Sequence, residues 1–584
     1  MKRIHMFFII TIIFITGIIF TGCKQKDQAS AASLKLPRKE TLFYSGIQWG
    51  AVRGNNPYMA NPNNIAMDSH RQLSFETLFA YNLLDGKNYP QVGDSYEWKG
   101  CDLYITLNPH VKFSDGTPVT SRDIVYGYYL GKTYLIGMTS VWDHIDDVVA
   151  DGDYTVIIKA KTPPLFNMRI VEQSISEFKV TSMAYWEQQL ASGALGREPT
   201  DLAAFTGWDT IGTGAYLLNF HDETMVVLKR NDNYWGQHPS RFGKLPAPKY
   251  IAHNIFRDNA TCDEAFRRGE VDVSQNFISQ IWTFFSHGAQ TFIPNPPYYI
   301  PGVIPSIIFN TQKPGLDSAA VRRAIAMVLD YDMIGLNAMS GYTPPKQHHI
   351  MLPTPAEQAL IDPAALKPYQ WEGIDVDGAN KILNEAGWAP GPDGIRTKNG
   401  VRLSFQVQCP YGWSDWNAAL EIVAQSTRPI GIDITTFFPE TPVWSSNRHN
   451  GTFDIIMDSP GGQGIAVPWM RAFKIMGSGY LPPQGTPNFL GNYGRWINAE
   501  ANQIIDKITN ETDPETLKQL WTRLNIIYLQ EMPAIGLMYR PWLFHQVNTS
   551  VWTGFPKFGD GTNIPPTILA DGYGYRGMFN IRPK

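Results

Sequence analysis

The sequence predicts an α/β protein built from at least two lobes. The chain has 584 residues, several times the size of one ordinary domain, so separate cores are expected. Hydrophobic residues make up 43% of the chain and charged residues 17%, a balance typical of a globular protein. Strand-like segments alternate with helix-like segments in both halves, which favours parallel or mixed sheets.

In the first half, the stretch "TLFYSGIQWG" alternates like a strand, and "YTVIIKAKTPP" has the same character. The stretch "DLYITLNPHVKFSDGTPVTSRDIVYGYYLGK" predicts two short strands around the turn "FSDGTPVT", followed by a helix that starts near Asp123. Either Thr120 or Ser121 is suited to cap this helix. The stretch "TIGTGAYLLNFHDETMVVLKRNDNYWG" predicts a hairpin.

Further along the chain, "NATCDEAFRRGEVDVSQ" predicts a helix stopped by Gly269 and then a strand. The stretch "VDGANKILNEAGW" predicts a helix with Gly387 as its C-terminal stop. Amphipathic stretches predict a helix after Asp317 and a long helix before the last strand. Further strands are predicted at "PSIIFN", "VRLSFQVQC", "GIDITTFF", "TFDIIMDSP" and "PAIGLMY".

The N-terminus indicates export from the cytoplasm. Basic "MKRIH" precedes the apolar run "MFFIITIIFITGIIF", which is shorter than a membrane span and predicts a signal peptide over residues 1–23. Thr21 and Gly22 before Cys23 resemble a bacterial lipobox, although Phe20 stands where Leu is usual. We therefore expect a lipid on Cys23 and a tether over 24–37, with ordinary cleavage or an uncleaved anchor as the alternatives.

Several function classes find no support in the sequence. The net charge of −4, without a basic stripe, argues against nucleic acid as a partner. No HExxH or GxSxG motif occurs, and "GYYLGKT" has too few residues between its glycines for a phosphate loop. Cys101, Cys262 and Cys409 lack metal spacing and are expected as thiols, with one pair possible. His348 and His349 are expected in an exposed loop, and neither a cofactor nor catalysis is indicated.

A set of ordered segments resembles family 5 of the extracellular solute-binding proteins of ABC importers, which take up oligopeptides, dipeptides, nickel and some oligosaccharides. The segments span about residues 70 to 545: "VKFSDGTPVTSRDIVYGY", "GTGAYLL", "LKRNDNYWG", "GEVDV", "FNTQKPGLDSAAVRRAIAMVLD", "ANKILNEAGW", "DGIRTKNG", "NYGRWINAEANQIID" and "PAIGLMY". Each segment alone is a weak signal, but their order over most of the chain is specific.

The resemblance implies a two-lobed periplasmic-binding-protein clamp, type II-like, with an additional inserted domain. Lobe I would be discontinuous, formed by residues 38–70, 201–299 and 541–584. The inserted domain would span 71–200 and lobe II 300–540. The resemblance also implies a monomeric, extracytoplasmic binding protein, lipid-anchored to the bacterial cell membrane, which delivers its ligand to the permease subunits of an ABC transporter.

The resemblance bears on the ligand class as well. Peptide-binding members usually hold the peptide's α-ammonium with an Asp that lies nine residues after the Asp of a strand like "FDIIM". Counting nine from Asp454 reaches Gln463, a neutral residue, although Asp458 could substitute. A neutral amide does not offset the desolvation of an ammonium group. An oligopeptide nevertheless remains the alternative ligand.

The stretch "YGWSDW" and the segment 274–310 resemble the oligosaccharide-binding branch, so we favour an oligosaccharide. Large indole faces suit the apolar C–H faces of sugars, and the candidates for stacking are Trp49, Trp282, Trp413, Trp416 and Trp469. The candidates for bonding the hydroxyls are Asn55, Asn276, Asp415, Asp458 and Gln463. Packing in a core is the alternative for each Trp, and an N-cap of the following helix is the alternative for Asp415. A secreted glycosidase is the contrasting hypothesis.

Overall fold

Three large sheets organise the part of the chain that the structure, a computed structural model, describes. The described residues are 34–45, 52–59, 73–163, 165–256, 258–461, 464–479, 481–567 and 572–584. Chain contacts separate Met1–Lys35, of which only Leu34 and Lys35 are described, from Leu36–Lys584. All that follows concerns the second unit.

The first sheet has seven strands that come from three distant parts of the chain. Thr41–Ser45 lies at its centre, parallel to both of its neighbours. In spatial order the strands are Ala289–Gln290, Gln546–Asn548, Val273–Ser274, Thr41–Ser45, Tyr250–Asn254, Met225–Arg230 and Tyr216–His221. The last two form the hairpin that the sequence predicts.

The second sheet has four antiparallel strands, in the order Gly93–Lys99, Asp102–Leu107, Thr155–Ala160 and Ile145–Asp151. The helix Ser121–Thr133 follows a turn flanked by a single bridge between Lys112 and Pro118, so the second short strand predicted there does not form. Thr120 is the N-cap, and its backbone N–H donates to the Asp123 carboxylate at 2.9 Å. Thr120 and Asp123 together form a capping box, which satisfies backbone N–H donors that the start of a helix leaves without partners.

The third sheet has five strands, in the order Asp433–Phe437, Ser404–Gln408, Ile455–Asp458, Ser306–Phe309 and Ala534–Gly536. Ser404–Gln408 is parallel to both of its neighbours, whereas Ser306–Phe309 is antiparallel to both of its own. Smaller sheets pair Phe79–Asn82 with Lys87–Pro90, Trp552–Thr553 with Arg582–Pro583, and Arg396–Lys398 with Ala389–Pro390 and Val401–Arg402.

Helices pack on these sheets. The longer ones are Ser121–Thr133, Met168–Glu177, Met183–Ser192, Asn259–Arg267, Ala319–Val328, Val376–Glu385, Ser414–Ser426, Thr441–Asn450, Val467–Met476, Ala499–Ile508 and Pro514–Glu531. Shorter helical turns are Thr139–Asp143, Asp201–Ala204, Trp235–Gln237, Ile281–His287, Tyr331–Met333, Ile334–Ala338, Pro355–Gln358, Pro363–Leu366, Lys367–Tyr369, Arg428–Ile430 and Tyr573–Phe579. Among the described residues, no helix has the length and apolar character needed to cross a bilayer.

Two large hydrophobic cores contain most of the buried apolar residues that the structure describes. One lies among residues 42–273 and 552–581, and the other among residues 265–544, around the five-stranded sheet. Ile170, on the helix Met168–Glu177, packs against both. The cores therefore meet at this helix. The boundaries drawn for the lobes and the inserted domain stay a prediction.

Most element predictions are confirmed, and two local predictions are wrong. The helices before Gly269 and Gly387 end where predicted, with both glycines at positive φ (+74° and +83°). His348 and His349 do lie in a loop, but it is not exposed: His349 is buried and His348 half-buried. Burial lowers the pKa of His348 to about 4 and that of His349 to about 3, so both imidazoles stay neutral at neutral pH. Cys101, Cys262 and Cys409 are free thiols.

Candidate functional site

The candidate site lies at one edge of the five-stranded sheet. Ser404–Gln408 and Ile455–Asp458 are parallel neighbours, so their carboxyl ends meet at the same edge. Trp413 and Asp415 follow the first of these strands, and Asp458 is the last residue of the second. Ligands of open α/β sheets bind outside the carboxyl ends of the strands. The sequence therefore brings together at this edge three of the residues chosen for ligand contact.

The "YGWSDW" stretch is the turn that leads from strand to helix. Gly412 has a φ of +80°, a conformation that favours glycine, and the helix Ser414–Ser426 begins two residues later with Trp413 as its N-cap. Trp416 is buried in the core, only 2% exposed. The half-buried Trp413 ring packs on Trp416 edge to face, at 4.8 Å between centroids. Trp416 thus supports Trp413 from inside.

Asp415 is the partner of a buried cation. It lies in the first turn of the helix, so its predicted role as N-cap is wrong: Trp413 occupies that position. Its Oδ2 lies 3.0 Å from Nε of Arg540, on the segment after the strand Ala534–Gly536. Burial raises the pKa of the Asp415 carboxyl, and Arg540 opposes that rise. Arg540 also lies over the Phe544 ring, at 5.1 Å.

Asp458 is likewise paired with an arginine. Nη1 of Arg448 donates to its Oδ2 at 3.1 Å, and the backbone N–H of Ser459 donates to its Oδ1 at 2.7 Å. The Arg448 guanidinium carbon lies 4.6 Å from the Trp444 ring centroid and 4.9 Å from that of Tyr493. Such cation–π contacts hold a guanidinium in place. The Trp444 ring in turn lies 6.0 Å from the Trp413 ring, which joins the two ion pairs into one site.

Lys474 lies between Asp458 and the helix Met168–Glu177, which packs in the other core. Its ammonium donates to the carbonyl of Gly461 at 3.0 Å. Burial lowers the pKa of the Lys474 ammonium, and both Asp458 and Glu177 oppose this shift. Glu177 ends the helix Met168–Glu177, whose Gln173 accepts a hydrogen bond from the Ala466 N–H at 3.2 Å. The site therefore lies where the two cores meet.

Burial favours the uncharged form of several other titratable groups. Burial, with help from Asp258, raises the pKa of Asp263 to about 8. Burial lowers the pKa of His449 to about 4 and that of Lys346 to about 7. Burial raises the pKa of Tyr342, and Tyr299, Asp415 and Asp263 add to that rise. The Asn259 side-chain amide donates to the Ser414 hydroxyl at 3.2 Å, so the helix Asn259–Arg267 contacts the turn that carries Asp415. Charge in the site is thus either paired or suppressed.

The remaining sequence-predicted residues lie in different places. Asn276 is 2% exposed, and among the described residues neither side-chain polar atom has a hydrogen-bond partner. Trp282 is 41% exposed, with its ring edge toward Tyr342 at 6.2 Å. Asn55 donates to the carbonyl of Trp208 at 3.4 Å. The Trp469 indole N–H donates to the Ile505 carbonyl at 2.9 Å, as a packing residue would. Trp49, Gln463 and Cys23 lie outside the described residues.

Sequence reasoning missed Trp444, Arg448, Tyr493 and Arg540. Trp444 and Arg448 are four residues apart on the helix Thr441–Asn450, so helical spacing could have placed them on one face. Tyr493 and Arg540 reach the site from distant segments, and no local signal marks them.

Comparison with known proteins identifies the fold and the family. The sequence profile of the bacterial extracellular solute-binding proteins, family 5, matches residues 90–472. The chain belongs to this family.

Two curated relatives of this family 5 protein come from Escherichia coli. The periplasmic oligopeptide-binding protein OppA is 24% identical over 463 residues, covering 73% of this chain and 75% of the relative. The nickel-binding periplasmic protein is 25% identical over 425 residues, covering 69% of this chain and 72% of the relative. Both are named as binding proteins. Within the described residues, this family 5 protein has no group of three or more His, Cys, Asp and Glu side chains placed to hold a metal ion.

A solved structure matches this family 5 protein over nearly its whole length. It is the mannohexaose-bound periplasmic oligopeptide-binding protein of an ABC transporter from Thermotoga maritima. The TM-score is 0.84 at 23% identity, covering 94% of this chain and 100% of that one. The fold is therefore the periplasmic-binding-protein fold of family 5, as the sequence predicts.

Proposed function

We propose that this family 5 protein captures a mostly uncharged oligosaccharide between its lobes and delivers it to the permease subunits of an ABC importer. The protein would act as a monomer outside the cytoplasm, anchored to the cell membrane through a lipid on Cys23. Trp413 would stack on a sugar face. The buried amide of Asn276 would bond hydroxyls, and the half-exposed Trp282 would offer a second stacking face.

The observation that carries this proposal is the pairing of charge beside the aromatic rings of Trp413, Trp444 and Tyr493. Asp415 and Asp458 each have an arginine partner, at 3.0 and 3.1 Å. A charged ligand would compete with these internal partners, whereas a sugar presents apolar C–H faces and neutral hydroxyls. Sites that hydrogen-bond hydroxyls reject analogues lacking them, because the buried partners are then left unpaired. The solved structure of the mannohexaose-bound protein from Thermotoga maritima supports the same choice.

The arrangement of the two cores supports a clamp mechanism. The site lies between a core around the five-stranded sheet and a core that includes the helix Met168–Glu177. A ligand held by groups from both sides binds the closed form better than the open form. It therefore shifts the population toward closure, and the transporter would recognise that closed form.

A thermal-shift screen of the soluble chain lacking residues 1–23 tests the ligand class. The probes are mannohexaose, cellohexaose and xylohexaose on one side, and trialanine with mixed peptides on the other. We expect one hexasaccharide to raise the melting temperature, since a ligand of the folded state stabilises it by mass action. Stabilisation by peptides alone would overturn the choice. Release of shorter sugars from a bound hexasaccharide would instead favour a glycosidase.

An oligopeptide is the second candidate ligand. It is favoured by the relative from Escherichia coli that is named as oligopeptide-binding. The export, anchoring and delivery steps would be the same. The trialanine and mixed-peptide arms of the screen therefore distinguish the two candidates directly.

A further inference from the structure

We propose that Arg448 is a specificity-determining residue that decides which charge class of ligand the site accepts. By pairing with Asp458, it makes this part of the site neutral, so the site admits uncharged ligands and excludes those with a free ammonium group. This inference rests on the proposed function, because it explains how the same site selects a neutral oligomer.

The surroundings of Arg448 fix its side chain in this role. Trp444 lies one helical turn earlier and Tyr493 on the other side, with ring centroids 4.6 and 4.9 Å from the guanidinium carbon. The Trp444 indole N–H donates to the Met457 carbonyl at 3.2 Å, which anchors that ring to the strand that Asp458 ends. Nη2 of Arg448 lies 3.2 Å from Nε2 of His449. The guanidinium is therefore held at Asp458 instead of extending into solvent.

Both carboxylate oxygens of Asp458 already have donors. Oδ2 accepts from Arg448 and Oδ1 from the Ser459 N–H. A ligand ammonium would have to displace the guanidinium, which also has its ring contacts to lose. By contrast, Nε of Arg448 is buried and, among the described residues, has no hydrogen-bond partner. A neutral ligand oxygen that reached it would satisfy a donor without adding charge.

The net charge of the side chains around Arg448 depends on Arg448 itself. The Arg448–Asp458 ion pair is neutral as a unit, and Lys474 lies within electrostatic range of Arg448, Asp458 and Glu177. These four side chains comprise two cations and two carboxylates, so their formal charges cancel. Loss of Arg448 leaves one uncompensated negative charge, and loss of the Asp458 charge leaves one positive charge. In a partly desolvated site such an imbalance is costly unless a ligand supplies the opposite charge.

Titration calorimetry of four variants tests this inference at low ionic strength. The variants are Arg448→Gln, Asp458→Asn, the double variant and Arg448→Lys. The probes are mannohexaose, cellohexaose, xylohexaose, trialanine, trilysine and trigalacturonate. Circular dichroism melts check that each variant is folded.

The two single variants Arg448→Gln and Asp458→Asn should gain ligands of opposite charge. Arg448→Gln should weaken the neutral hexasaccharide by about tenfold or more and gain measurable binding of trilysine. Asp458→Asn should gain trigalacturonate instead. The double variant restores the charge balance, so it should bind the hexasaccharide better than either single variant. Arg448→Lys keeps the charge and should still exclude trilysine.

Equal changes for neutral and charged probes in Arg448→Gln would overturn the inference, as would a double variant no better than the worse single one. Failure of the proposed function alone gives a different pattern, in which the wild type binds neither a hexasaccharide nor trialanine, while Arg448→Gln still gains trilysine. Binding of trialanine by the wild type would overturn the inference as well, because trialanine carries a free ammonium group.

Discussion

Arg540 and Asp415 form a buried ion pair, with Nε and Oδ2 3.0 Å apart. Arg540 follows the edge strand of the five-stranded sheet, and Asp415 lies in the first turn of the helix that Trp413 caps. The pair therefore ties the helix start that carries Trp413 to a segment more than a hundred residues away in sequence.

Replacing Arg540 with Met should destabilise the protein by about 3–5 kcal/mol, because the Asp415 carboxylate is left buried without its cation. Urea unfolding at neutral pH measures the loss. The loss should be smaller at pH 5, where the carboxyl, whose pKa burial already raises, can bind a proton. Combining Arg540→Met with Asp415→Asn removes the uncompensated charge and should recover part of the loss. A double variant less stable than Arg540→Met would contradict the pairing.

Replacing Trp413 with Ala should weaken binding of the hexasaccharide that stabilises the wild type by about 1–3 kcal/mol, taking base stacking on aromatic rings as the analogue. Calorimetric titration measures the change. Trp371→Ala is the matched control, because Trp371 is also half-buried but stacks on His348 at 3.9 Å, outside the site. Unchanged affinity in Trp413→Ala would assign that ring to packing.

Replacing Asp263 with Asn should flatten the dependence of stability on pH. The pKa of Asp263 is about 8 in the folded protein, against an ordinary value of 3.8. Between these values the folded protein holds a proton that the unfolded chain releases, so this contribution to stability is lost as pH rises toward 8. The slope is at most about 1.4 kcal/mol per pH unit. Melts from pH 4 to 8 compare Asp263→Asn with Asp332→Asn, an exposed control. A wild-type slope in Asp263→Asn would refute the assignment.

Replacing Arg169 with Ala should favour an open arrangement of the two cores. Arg169 lies in the first turn of the helix Met168–Glu177 and donates to the carbonyls of Ile508 and Glu511, each at 3.2 Å. Met168 N–H donates to the Asn510 side chain at 3.0 Å nearby. Without the Arg169 contacts, we expect a larger radius of gyration by small-angle scattering and an affinity lower by about 3- to 10-fold. Arg122→Ala, an exposed change, is the control. Identical scattering from the two variants would argue against closure through these contacts.

The fold could be predicted from the sequence largely because its elements have strong local signals. The strand Ile455–Asp458 begins with an apolar run, the strand Ser404–Gln408 alternates polar and apolar residues, and Gly387 ends its helix at positive φ. The site could be predicted only in part. Trp413 and Asp415 directly follow a strand, so their place at the sheet edge follows from local order. Arg540 and Tyr493 reach the same place only through the tertiary fold, which no local pattern encodes.

Burial was the property that the sequence indicated least well. Trp413 and Trp416 stand three residues apart in one aromatic stretch, yet one is half-exposed and the other is in the core. A helix face is buried where another segment packs against it, and that segment comes from elsewhere in the chain. His349 is buried and His348 half-buried for the same reason, although prolines around them predict a surface loop.

Calorimetric titration of the wild-type soluble chain with mannohexaose, cellohexaose, xylohexaose, trialanine and trilysine measures the ligand preference itself. We expect one hexasaccharide to bind at a ratio of about one to one, without turnover, and no heat from trilysine, because the cations of the site already occupy its carboxylates. Tight binding of either peptide, with no heat from any hexasaccharide, would contradict the account.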